Sequence, residues 1–94
     1  MTVSLDERVV AAPRVLCKDL GGELILLDLE TETYFGLNAA GARLWNLLTT
    51  APTIRDAFAV MLAEYEVAPA ELEHDMGALI DDLVRLGLLR TGNA

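Results

Sequence analysis

The chain has 94 residues, enough for one domain with its own core and too few for two. Apolar residues make up 53%, mean hydropathy is +0.37 and formal net charge is -8 with a pI near 4.3. Together these exclude a disordered chain and argue against nucleic acid or anionic lipid as the partner. The single cysteine, Cys17, excludes an internal disulfide, and no apolar run approaches the roughly 20 residues that span a bilayer. The first residues, MTVSLDERVV, carry acids and lack the cationic-then-apolar pattern of a signal segment, so the expected location is cytoplasmic.

Residues 1–13 mix charges with short apolar pieces and end at Pro13. They read as an N-terminal arm or an extra strand, with a single domain expected over 14–94. Residues 15–20 predict a strand, Gly21-Gly22 a two-residue hairpin turn, and 23–28 the return strand. The return run Leu24-Ile25-Leu26-Leu27 is apolar throughout, which suits a strand in mid-sheet. After a polar connection at 29–32, Thr33-Tyr34-Phe35-Gly36-Leu37 predicts a third, aromatic strand. Strands joined by successive hairpins form an antiparallel meander, whose first or third strand is left as an open edge.

The rest of the chain is helical in pattern. Asn38 is a good N-cap for a helix from Ala39 to Leu48, with Leu44, Trp45, Leu47 and Leu48 on its apolar face. Pro52 breaks the connection, and Thr53 caps a second helix with Asp56 at the capping-box position. Ile54, Ala57, Phe58, Met61, Leu62 and Tyr65 then recur at the spacing of an amphipathic helix. Pro69 suits the first turn of a third helix, Glu71, Glu73 and Asp75 favour its positive end, and Gly87 stops it. Along it Leu72, Met76, Leu79, Leu83 and Leu86 make a narrow stripe that Ile80 and Val84 widen on one flank. That pattern serves either a broad buried face or a helix that closes the core and also lines a groove. Leu88 and Leu89 read as a short extended tail that packs back. The fold class is α+β, a three-stranded antiparallel sheet followed by three helices, in the order of a winged helix-turn-helix.

Reactive groups are scarce: one histidine, one cysteine and one serine. Cys17 falls in a strand pattern, where it reads as a small core residue, and His74 in a helix, where it reads as exposed. Nothing nearby prepares either for catalysis, so no catalytic residue is expected. There is no CxxC or HxxxH spacing and no phosphate-binding glycine loop, so neither metal nor cofactor is expected. Asp81-Asp82 reads as a solvated helix face, and Glu71, Asp75 and Asp82 share a helix side without forming a recognisable metal site. A DNA-binding winged helix is disfavoured by charge, because the stretch from Asp56 to Val84 carries acids and no lysine or arginine.

An ordered set of motifs resembles the PqqD family. It runs from Leu26-Leu27-Asp28 through Thr33-Tyr34-Phe35-Gly36-Leu37-Asn38 to Gly41-Ala42-Arg43-Leu44-Trp45. It continues at Glu64-Tyr65-Glu66-Val67, Pro69 and Glu71-Leu72, then at Asp75, Leu79-Ile80, Leu83 and Gly87-Leu88-Leu89. The likeness covers about residues 15–89. It implies a peptide chaperone that binds the leader segment of a ribosomally made precursor peptide and presents it to a modifying enzyme. That enzyme is a radical S-adenosylmethionine protein in pyrroloquinoline quinone biosynthesis. In split lasso-peptide systems it is a leader peptidase working with a cyclase. The resemblance also implies that the leader adds as a strand to the edge of the third strand, against the third helix.

Strand addition suits an open edge, whose unpaired backbone groups bind while apolar pockets select alternate side chains. On the third strand, alternation places Phe35 and Leu37 on one face and Tyr34 on the other; Phe35 reads as core or groove floor and Tyr34 as partly exposed. On the helix, Met76, Leu79, Ile80 and Leu83 are groove candidates, with core packing as the alternative for each. Asp75 either meets a leader amide or basic leader residue, or compensates the helix N-terminus. Two further functions stay open: a winged-helix transcriptional regulator, using Arg8, Arg14, Lys18 and Arg43 as a basic patch, and a self-associating structural protein. The same edge strand is also free to pair with a second copy as a homodimer.

Overall fold

The structure, a computed structural model, describes residues 4–91; the first three and last three residues of the arm and tail lie outside the described part. The sheet grows from two hairpins with different turn chemistry. In the first, Gly21 and Gly22 both take positive φ, +68° and +98°, which glycine alone adopts at no steric cost. They join β2 (Val15–Leu20) to β3 (Glu23–Asp28), paired in register from Val15 opposite Asp28 to Leu20 opposite Glu23. In the second, Asp28 organises the turn itself. Its Oδ1 accepts from the Glu30 amide at 2.9 Å and lies 3.4 Å from the Thr31 amide, its carbonyl accepts from the Glu32 amide at 2.8 Å, and Glu32 sits at φ +58°. The chain then returns as β4 (Thr33–Leu37), antiparallel to β3 from Asp28 opposite Thr33 to Leu24 opposite Leu37. Strand order is β2-β3-β4, so the all-apolar strand is central.

Asn38 ends β4 and caps α1 (Ala39–Thr50), its side chain accepting from the Gly41 amide at 2.9 Å. Thr53 caps α2 (Ile54–Glu64): its hydroxyl oxygen accepts from the Asp56 amide at 3.2 Å and its hydroxyl donates to the Asp56 carboxylate at 2.8 Å. Pro69 opens α3 (Pro69–Arg85). At its far end Gly87, φ +76°, turns the chain in a Schellman arrangement: the Leu88 amide donates to the Leu83 carbonyl at 2.9 Å and the Gly87 amide to Val84 at 3.0 Å.

The tail is a strand, β5 (Leu89–Thr91), antiparallel to β1 (Val9–Ala11) in a separate two-stranded sheet. Before β1, the Leu5 and Glu7 carbonyls accept from the Arg55 and Ile54 amides at 2.8 and 2.9 Å, which ties residues 5–7 to the start of α2.

The register sorts the main sheet into two faces. Leu24, Leu26, Phe35 and Leu37 point to one side, where Leu24, Leu26 and Leu37 join Leu44, Trp45, Leu48, Ile54, Met61, Met76, Ile80 and Leu83 in one core. Leu16, Leu27 and Tyr34 point to the other, which no element among the described residues covers; Leu16 is 55% and Tyr34 77% exposed. Cys17, read as a core residue, is exposed instead. It lies on the core side of the sheet, yet on an outer strand; burial and a hydrogen bond from Trp45 act on its thiol in opposite directions, and burial prevails, leaving the pKa raised.

Candidate functional site

β4 is hydrogen-bonded to β3 on one side only, so the peptide groups along its other side have no partner strand among the described residues. Two physical facts turn that edge into a cleft. β4 and β3 pack under α1, while α3 packs on α2 and β5, so helix and strand meet without closing on each other. The space between them is a groove of about 510 Å³, a size that accepts side chains. Leu37, Leu44, Met61, Leu72 and Met76, all buried, form its floor. Phe35, Gly36, Asn38 and Ala40 line the strand side, Tyr65 and Val67 come from the α2–α3 connection, and Glu71, Asp75 and Leu79 line the helix side.

Four of the seven residues singled out in the sequence meet here: Phe35, Asp75, Met76 and Leu79. Tyr34 stands on the opposite face of β4, and it lines a second depression at the other end of the same strand–helix cleft. Ile80 and Leu83 do not reach the groove. Both have no exposed surface and belong to the core. The reason is the angle at which α3 sits. Its buried stripe is Leu72, Met76, Ile80 and Leu83, and this leaves Leu79 half-buried on the groove side and Leu86 exposed. A helical wheel gives the width of an apolar stripe, whereas the neighbouring elements decide its centre.

Sequence reasoning missed Tyr65 and Val67 as groove wall. Tyr65 closes the α2 stripe and is its C-cap residue, so a signal was present; Val67 lies in a short irregular link, where periodicity says nothing. Glu71, which the sequence offers as charge for the helix N-terminus and on one helix side with Asp75 and Asp82, stands one turn from Asp75 on the groove rim. Outside the groove lining, Arg43 of α1 grips Glu64 at the end of α2 with two parallel hydrogen bonds, Nε to Oε1 at 2.9 Å and Nη2 to Oε2. Arg43 holds the Glu64 carboxyl below its ordinary range against the opposing effect of burial.

The far end of the cleft is narrower, about 210 Å³, between Asp28, Thr33, Tyr34 and Phe35 on the sheet and Leu86 and Leu88 after α3. Asp28 is 2% exposed. Burial pushes its carboxyl up. The Glu30 amide, the Arg14 guanidinium and the Thr31 amide together outweigh burial and hold it below the ordinary carboxylate range. Catalytic groups do not converge in either part of the cleft. Cys17 lies on β2, the edge away from it, and His74 lies with Ala70, Glu73, Ala78 and Asp81 in a shallow depression outside it. Among the described residues no three His, Cys, Asp or Glu side chains group as metal ligands, and no helix is long and apolar enough to cross a membrane.

These features define a small α+β domain, similar in order to a winged helix-turn-helix, with an open strand beside an apolar groove. The chain belongs to the PqqD family: the profile described as coenzyme PQQ synthesis protein D matches residues 23–89. Among solved structures it is similar to one described as TbiB1 in complex with the TbiA(beta) leader peptide. The two are 32% identical over 86% of this chain and 94% of that one, with a TM-score of 0.81. It also shares its fold with a lasso peptide synthetase B1 complexed with the leader peptide, at 24% identity over 88% of this chain and 98% of that one, TM-score 0.80. No curated protein sequence matches.

Proposed function

We propose that this protein is a peptide chaperone: it binds the leader segment of a ribosomal precursor peptide as an added strand on β4 and delivers it to a modifying enzyme or leader peptidase. One observation carries the reading. The open edge of β4 runs beside a groove with an apolar floor and a helical far wall, the arrangement strand addition requires: backbone groups for affinity and a pocket for alternate side chains. Membership of the PqqD family and the likeness to TbiB1, solved with a leader peptide, support the same reading. Phe35, Met76 and Leu79 receive apolar leader side chains, Asp75 meets a leader amide or cation at the rim, and Tyr34 meets the strand from the outer face. The partner is a radical S-adenosylmethionine enzyme, or a leader peptidase with a cyclase; the chain itself acts as a cytoplasmic adaptor without catalysis or cofactor. A DNA-binding role has nothing to recommend it on α3, whose exposed Glu71, Glu73, Asp75 and Asp82 would face phosphates with like charge.

The test is a calorimetric titration with a synthetic peptide carrying the leader sequence encoded beside this gene. Saturable one-to-one binding, lost when the leader sequence is scrambled, is the expected result. A folded protein with no affinity for the leader would reduce the likeness to one of fold alone.

A further inference from the structure

The groove has a fixed floor, yet the strand and helix that form its walls are held by different neighbours: β4 by β3 and α1, α3 by α2 and β5. At the narrow end one side chain links the two walls. Arg14, in the connection between β1 and β2, directs Nε to Asp28 Oδ1 at 3.0 Å and Nη2 to the Gly87 carbonyl at 3.2 Å. Asp28 ends β3 and organises the turn that leads into β4; Gly87 is the residue that turns the chain out of α3. Glu30 adds a second carboxylate, 3.2 Å from Nε and largely exposed. A guanidinium is planar, with donors in a fixed fork, so it sets a distance as well as a charge.

The fit is close. A Cβ on Gly87 would lie 2.8 Å from Arg14 Nη2, and Gly87 already takes a positive φ that other residues rarely adopt. The contact sits beside Leu86 and Leu88, which line the narrow end with Asp28, Tyr34 and Phe35.

We infer that Arg14 is a positioning residue for the leader: it spans from the β3–β4 turn to the end of α3 and so holds the narrow end of the groove at the width the bound strand needs. This rests on the leader lying between β4 and α3. In this role Arg14 acts through the spacing of the two walls, so its effect is confined to leaders long enough to reach the narrow end.

The experiment compares wild type, Arg14→Gln and Arg14→Lys in titrations with the synthetic leader and with two shortened forms, one trimmed from each end. Lysine keeps a positive charge towards Asp28 and loses the bridge. Both variants should bind the full leader about tenfold more weakly, the scale of a lost charged hydrogen bond. For the shortened leader that no longer reaches Tyr34 and Leu86, wild type and variants should bind alike. Equal affinity of wild type and variants for every peptide overturns the inference and leaves strand addition standing. So does a uniform loss across all three peptides, which would mark Arg14 as a fold residue only. A wild-type protein that binds no leader removes this inference and the proposed function together.

Discussion

The two outer strands of the main sheet make an instructive pair. Among the described residues neither β2 nor β4 has a partner strand on its outer side, and both carry exposed side chains. β4 faces α3 across an apolar groove; β2 is absent from the lining of every groove described above and carries Lys18 and Asp19 at its middle, both exposed. An edge strand alone offers hydrogen bonds without selectivity, and a lysine there discourages unwanted pairing. A helix beside the edge adds side-chain pockets, so on the proposed function one edge receives a particular strand and the other refuses it.

Proline breaks that contrast most sharply. Placed singly at positions 34–36, it should at the outward-pointing amide leave the thermal midpoint nearly unchanged. There it should lower leader affinity about a hundredfold, because it removes a donor and strands the acceptor of the incoming strand. The same scan at 17–19 should leave affinity within about twofold of wild type; loss of binding there would move the site to β2. A smaller effect separates neighbours on α3. Leu79→Ala should weaken leader binding about tenfold with little loss of stability, as expected for one apolar side chain in the pocket. Ile80→Ala should cost about 2–5 kcal/mol of unfolding free energy and leave the affinity of the folded protein unchanged. The opposite outcome for the pair, read by chemical denaturation and titration, would rotate α3 in its seat.

The smallest effect concerns the narrow end. The Asp28 carboxyl titrates below its unfolded value, so its contribution to stability is complete above pH of about 4 and is lost as pH falls through the folded value. Asp28→Asn should therefore have a lower thermal midpoint than wild type at neutral pH. The two curves should converge in acid, and a gap that persists at low pH would assign the loss to packing rather than charge.

Much of this molecule is written in local chemistry. The glycine pair at 21–22, the caps at Asn38 and Thr53, Pro69 and the stop at Gly87 each act within a few residues, and the sheet order β2-β3-β4 follows from two hairpins. What stayed hidden depends on distance along the chain. Residues 1–13 were legible as an arm or extra strand and Leu88-Leu89 as an extended tail that packs back; that the two pair as β1 and β5, three residues each, was not, because the pairing joins opposite ends of the chain. Arg14 and Gly87 lie 73 residues apart. Whether Leu79 or Ile80 faces the groove depends on how α2 and β5 seat the third helix. Phe35 and Met76 were legible as groove-lining candidates because an aromatic strand and an apolar helix face must meet somewhere; the side of the helix that meets it was not.

The uncovered outer face has a consequence for a solution crowded with copies. Leu16, Leu20 and Tyr34 stand in water on a sheet whose outer face is uncovered among the described residues, which is raw material for molecules to stack face to face. A net charge of -8 keeps such neighbours apart. Near the pI of about 4.3 that mutual repulsion vanishes while the greasy face remains, so the protein is expected to become colloidally fragile there before its core gives way.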